Sequence, residues 1–249
     1  MFTKFSKPLK AVTCAVFWVG VWYAAAFAVK SAVILPMPHT VVVRLFGLLT
    51  TAAFYLTCLR SLVRVFSGLL LGVWVGVILS VSAYLGMDFI FSPLMSVIRS
   101  TPVASVIILM LFFLGRQSVP YVTTMMMVTP VVYVGTLRGL RSVPDKMMQI
   151  ADVFSMKPAY RVKYLYVPSA LPHFSSAVVN CTGLAWKAGI AAEVICTPAG
   201  AIGSKLWDAK VYLESTDLFA WTLAVVIFSL VIEKCISTVL KRSEVGRSA

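Results

Sequence analysis

Runs of about twenty apolar residues recur along this chain, and they restrict its folding more than any other feature. A helix needs about 20 apolar residues to cross the ~30 Å hydrocarbon core of a bilayer, and stretches such as Ala11–Val29 and Leu218–Leu240 meet that length. Inside lipid every backbone N–H and C=O must find a partner within the protein, so the spans are expected to be helices. The short alternating segments of a β-barrel are missing. Charged residues make up 12% of the 249 residues and mean hydropathy is +0.92, against about 25% charged in soluble domains. The fold class predicted is all-α: a polytopic membrane protein of six spans, Ala11–Val29, Tyr55–Leu85, Leu94–Leu114, Val119–Thr136, Leu171–Val194 and Leu218–Leu240.

Net charge is +13. Because the cations flank apolar runs, they are read as topology signals and not as a nucleic-acid surface. They cluster at Lys4, Lys7 and Lys10; at Arg138, Arg141, Lys146, Lys157, Arg161 and Lys163; and at Lys234, Lys241, Arg242 and Arg247. Six spans put all three clusters on one side, which the positive-inside rule makes cytoplasmic, together with both termini. The opposite loops carry fewer: Lys30, Arg44, Arg116, Lys205 and Lys210. Arg60 and Arg64, near the start of the second span, are expected to snorkel outward. The basic N-terminus runs into a long apolar stretch without a separate A-x-A site, so residues 1–34 are read as a tail and an uncleaved first span. The stretch MPHTVVVRLFGLLTT after it is expected to lie along the outer surface. The cysteines are five, an odd count without a CxxC pair, and the two histidines are far apart. Neither a disulfide framework nor a metal site is expected.

The longest polar interruption, residues 142–168, reads as two short helices. Ser142-Val143-Pro144-Asp145 has the composition of a capping box. Met147, Ile150, Ala151 and Phe154 then recur at helical spacing. Ser155 and Lys157-Pro158 break the helix, and Tyr160, Tyr164 and Val167 share a face of the next one. Periodicity alone leaves two readings open: an interfacial hairpin that covers the bundle, or a knob displayed for a partner's groove.

The segment QIADVFSMKPAYRVKYLYVP resembles the cytoplasmic coupling loop of permease subunits from bacterial ATP-binding-cassette (ABC) importers. That loop has the form E-A-A, three residues, G, about nine residues, then I-x-L-P. Gln149, Ile150 and Ala151 stand at the first three positions, Ser155 at the glycine and Val167-Pro168 at the end. Gln149 replaces the usual Glu, and Ser155 gives up the residue best suited to a left-handed turn. RSLVRVFSGLLLGVWVGVILS, with Gly68 and Gly72, and SPLMSVIRSTPVASVIIL, with Arg99-Ser100-Thr101-Pro102, are similar to core spans of the same family. WKAGIAAEVICTPAGAIGSKLWDA is similar to the subgroup that carries nitrate, taurine, alkanesulfonates and pyrimidine precursors. The resemblance covers residues 35–249 and implies a type I importer permease domain in a bacterial inner membrane. It implies two identical permeases sharing a pathway, two copies of a separate ATPase that binds the ATP, and an extracytoplasmic binding protein. It further implies that Met147, Gln149, Ile150, Ala151, Asp152, Phe154 and Ser155 meet the ATPase. No cofactor is expected in this subunit.

Four residues are candidates for the pathway. Glu193 lies in an apolar run, where an isolated carboxylate costs about 2.5–3.5 kcal/mol, so it must pair, with Lys187 as the sequence neighbour, or face a water-lined path. Trp186 shares its face. Arg99 precedes Thr101-Pro102, where a kink or a role in anion passage are both open. Gly200, Gly203, Ser204 and Lys205 do not have phosphate-loop spacing, and no catalytic triad or carboxylate pair is present, so a non-catalytic subunit is expected. The alternative function is an ion-coupled secondary carrier. It would show inverted repeats or broken helices, and neither is legible.

Overall fold

The computed structural model describes residues 7–245, with side chains for 12–238. Lys4 and Arg247, and the side chains of Lys7, Lys10, Lys241 and Arg242, lie outside the described residues. Eleven α-helices are described: α1 Lys7–Val29, α2 Pro38–Leu49, α3 Ala52–Ser82, α4 Asp88–Ser100, α5 Val103–Phe113, α6 Val119–Leu140, α7 Asp145–Val153, α8 Pro158–Arg161, α9 Val167–Cys196, α10 Ile202–Val211 and α11 Ser215–Val245. Among the described residues no strand occurs. Five of these helices, α1, α3, α6, α9 and α11, are long and apolar enough to cross a membrane alone.

The third expected span is different. Leu94–Leu114 is not one helix but two in tandem, α4 and α5, separated at Thr101 and Pro102, both extended. Pro102 has no N–H to give to the carbonyl four residues back, and its ring disfavours helix at Thr101. The Ser100 and Thr101 hydroxyls both turn back onto the Val97 carbonyl, at 3.0 and 2.7 Å. A broken helix is therefore present, contrary to the sequence reading. Gly86, at φ 112°, makes the bend between α3 and α4, and Met95 then packs beside Leu79 and Tyr133.

Three helices form the centre, and glycines set their spacing. Cβ atoms added to Gly68, Gly72 and Gly76 of α3 would lie 2.6 Å from the Tyr121 carbonyl oxygen, 2.8 Å from Val128 Cβ and 2.8 Å from Val132 Cβ of α6. Residue numbers rise together along this seam, so α3 and α6 run parallel. On the other side of α6, Gly135 meets Ala177 and Gly139 meets Ala170, so α9 runs antiparallel. Small residues let backbones approach where lipid provides no hydrophobic drive for association. α11 closes the core through Trp221, stacked on Phe54 at 5.0 Å. α1 is attached mainly in its C-terminal half, by the Trp22 indole N–H to the Pro36 carbonyl at 3.2 Å, and leaves Val16, Phe17 and Trp18 exposed.

Candidate functional site

The interruption at 142–168 begins where α6 ends. The expected capping box does not form. Pro144 is the N-cap residue of α7, without a side-chain cap, and the Ser142 hydroxyl donates to the Gly139 carbonyl instead. Met147, Ile150 and Phe154 are exposed at 50%, 53% and 77%. Their spacing of three and four residues puts them along one edge. Ala151, expected on that edge, is instead buried and faces its own chain. Gln149 and Asp152 are exposed.

The turn after α7 is built like a Schellman cap. Ser155 takes φ 47°, in the left-handed region. The Met156 N–H reaches the Ala151 carbonyl at 2.8 Å, and the Ser155 N–H reaches that of Asp152 at 2.9 Å. Serine thus holds the conformation that glycine adopts freely. Arg161 fastens the turn: Nε donates to the Met156 carbonyl at 2.9 Å, Nη1 to Asp152 at 2.6 Å and Nη2 to the Ala151 carbonyl at 3.3 Å. Asp152, expected to meet a partner, already has one within the chain.

Where α3 begins and α9 ends lies a buried charge centre. Glu193, fully buried, accepts from Arg64 Nη1 at 2.7 Å through Oε1. Its Oε2 accepts from the Ser61 hydroxyl at 2.7 Å and the Gly203 N–H at 3.2 Å. The Ser61 oxygen accepts in turn from the Ile202 N–H at 2.9 Å, and Arg64 Nη2 donates to Gln117 at 2.8 Å. Four segments, α3, the turn before α6, α9 and α10, meet here. Gly203 is required by the approach, since an added Cβ would lie 2.4 Å from the Glu193 backbone carbon. Glu193 is therefore paired, but with Arg64 and not Lys187, and Arg64 does not snorkel. Arg60, one turn earlier, lies against Gly200.

The remaining candidates separate. Trp186 is buried between α9 and α11, its indole N–H on the Val225 carbonyl at 3.0 Å. Lys187 and Arg99 are exposed, and neither has an ion-pair partner among the described residues. Lys187 shares an uncovered stripe of α9 with Ser176, Asn180 and Leu184. α5 packs on α9 where Ile107 meets Ala192 and Cys196.

Residues 68–244 match the family described as "Binding-protein-dependent transport system inner membrane component". The chain belongs to this family of ABC transporter permeases. Over 218 residues it is 25% identical to the putative aliphatic sulfonates transport permease protein SsuC of Bacillus subtilis, covering 86% of this chain and 77% of that one. Over 166 residues it is 31% identical to the nitrate import permease protein NrtB of Synechococcus elongatus, covering 64% and 58%. The bicarbonate transport system permease protein CmpB of the same species is 28% identical, covering 61% and 55%. The chain thus spans a little over half the length of the nitrate and bicarbonate relatives. Its fold is similar to that of the MetNI methionine ABC transporter in an inward-facing conformation, with a TM-score of 0.59 at 18% identity, covering 76% of this chain and 93% of the other.

Membership removes the secondary carrier as an alternative; the broken α4–α5 passage belongs to a permease. The sequence reading of this permease missed Arg64, Ser61 and Arg161. A signal for Arg64 existed: it and Glu193 are opposite charges, each set in an apolar run, and each is costly alone.

Proposed function

We propose that this permease forms the translocation pathway of an ATP-driven importer, as one of two identical copies with both termini in the cytoplasm. The exposed edge of α7 docks a separate ATPase, and an extracytoplasmic binding protein delivers the substrate. The observation that carries this reading is the edge itself: Met147, Ile150 and Phe154 are large apolar side chains exposed on a helix outside the spans. A helix with apolar anchors at i, i+3 and i+7 is suited to a partner's groove. The Arg161-fastened turn behind it supplies stiffness, so a push on α7 is passed to α6 and α9. ATP belongs to the partner.

The substrate is read as a small anion or small organic nutrient. Sulfonate, nitrate and bicarbonate are named for the relatives. Arg99 and Lys187, both exposed and without carboxylate partners among the described residues, support an anion path. Intramembrane cations face a cavity or a partner and avoid lipid, so the α9 stripe is read as facing the second copy across the path. Glu193 and Trp186 support this path from inside the chain.

The test is the pair Ile150→Asp and Phe154→Asp, each co-expressed with an ABC ATPase that co-purifies with the unsubstituted permease. The permease is expected to reach the membrane at normal yield and to lose the ATPase on purification. Undiminished complex and ATP-driven uptake in both variants would refute the docking edge.

A further inference from the structure

Between the start of α4 and the end of α6 lies a cavity of about 310 Å³. Asp88 and Ser92 line it from α4. Tyr133, Arg138 and Arg141 line it from α6, where Val134 and Leu137 form an apolar side. Both oxygens of the Asp88 carboxylate are already occupied. Oδ1 accepts from the buried Tyr133 hydroxyl at 2.7 Å, and Oδ2 accepts from Arg141 Nη2 at 2.8 Å. Arg141 uses one nitrogen for this bond, and a guanidinium has five N–H donors in all. Arg138 lies three residues earlier, on the same face of α6. It is exposed and has no hydrogen bond or ion pair among the described residues.

Charge decides what such a cavity accepts. Two guanidinium groups against one carboxylate leave its wall with a single net positive charge. Tyr133 and Arg141 hold the carboxylate, so Arg138 is the uncompensated cation. The Ser92 hydroxyl adds a donor from the facing helix. The planar fork of a guanidinium matches paired oxygens of a carboxylate or phosphate, and a sulfonate presents oxygens in a similar way. A water occupies about 30 Å³ in the liquid, so a small oxyanion fits with water beside it. A short alkyl group on that anion would lie against Val134 and Leu137.

We propose that this cavity binds a small monovalent oxyanion, held by Arg138 and the free donors of Arg141, with Ser92 as a third contact. Its place on the cytoplasmic side rests on the proposed orientation of the permease, and there the site receives the transported anion as it leaves. A bound oxyanion bridges α4 and α6, as Asp88 and Arg141 already do, and so tightens the hold on the start of α4.

The experiment uses the full chain in phospholipid-free detergent, where both faces are open and no ATPase is needed. Neither a reversed orientation nor a failed docking at α7 would alter its result. Binding of radiolabelled methanesulfonate is measured by equilibrium dialysis, with chloride holding the ionic strength constant. Saturable binding that chloride does not displace is expected. Arg138→Gln removes a charge that has no partner in the fold, so the thermal midpoint without ligand should stay unchanged. Its binding should weaken about tenfold to a hundredfold, the effect of losing a hydrogen bond to a charged group. Ser92→Glu gives Arg138 an internal counter-charge and should abolish binding. Lys146→Gln removes an exposed cation of α7 outside the cavity and should bind like the unsubstituted chain. Three results overturn the proposal. The first is no saturable binding by the unsubstituted chain. The second is binding by Arg138→Gln no weaker than by Lys146→Gln, which would mark general attraction to a basic surface. The third is a phospholipid found on the membrane-extracted permease by native mass spectrometry and lost in Arg138→Gln, with no methanesulfonate binding after the lipid is removed. That would mark a headgroup site.

Discussion

Replacing Glu193 by Gln tests the buried charge centre most directly, because the amide keeps the shape and removes the charge. The carboxylate uses both oxygens as acceptors, Oε1 for Arg64 and Oε2 for Ser61 and Gly203. Glutamine has one acceptor oxygen. If that oxygen faces Arg64, the NH₂ group confronts the Gly203 N–H, donor against donor. If the amide is turned, it confronts the guanidinium. One buried donor is lost either way, at about 1–3 kcal/mol, and Arg64, 6% exposed, is left without its counter-charge. Breaking a buried pair from one side costs about 3–5 kcal/mol. For a chain of this size about 3 kcal/mol lowers the thermal midpoint by about 6–12 °C. The assay is thermal unfolding of the detergent-solubilised permease, beside its yield. Arg64→Met should be destabilising alone, and the double variant should lose less than the sum by about 0.5–3 kcal/mol. Lys187→Gln serves as the control and should leave the midpoint unmoved. Additive losses in the double variant, or a Glu193→Gln midpoint equal to wild type, would refute the argument.

Other outcomes are expected from the same geometry. Ser155→Gly relieves a left-handed serine, which costs about 1–2 kcal/mol, and should raise the thermal midpoint of the isolated permease by a few degrees. Arg161→Ala frees the turn after α7 and should increase amide hydrogen exchange at residues 151–156 while leaving α3 and α6 protected. Gly72→Val drives methyl groups into Val128 and Met125, so a loss of about 1–3 kcal/mol from overpacking should appear as reduced yield. A reporter that is active only in the cytoplasm, fused after Arg247, should be active; inactivity would reverse the topology.

The spans were legible because apolar length is a local property, readable without knowing what packs on what. The division of Leu94–Leu114 was half legible. Pro102 and its hydroxyl neighbours marked a kink, but whether a helix bends or stops at proline depends on what covers the freed backbone, and that is tertiary. The turn after α7 was legible as a break and not as its mechanism. Ser155 does adopt the left-handed conformation, and the guanidinium that holds it there lies six residues further on. Ala151 was misassigned because a helix edge about 100° wide admits residues at spacings of both three and four. Met147, Ile150 and Phe154 fit it, and Ala151, at i+4 from Met147, is turned inward by the returning segment.

The partner of Glu193 shows where sequence reasoning stops. Helix geometry alone weakens Lys187, which stands six residues earlier on α9, about 600° of rotation and so about 120° round the axis. A side chain so placed leaves the face that Glu193 occupies. The candidates on other helices, Arg60 and Arg64, are one turn apart on the same face of α3, and nothing local separates them. The separation comes from the loop after α9. Gly200, with φ 66°, lets that loop pass beneath Arg60, and Gly203 lets α10 bring its own N–H onto the carboxylate and the Ile202 N–H onto Ser61. With α10 in that position, the charge that fills the remaining side of Glu193 is one turn deeper, at Arg64. The glycines after α9 thus decide which arginine is buried, and they do so by allowing backbone close enough that only one guanidinium still fits.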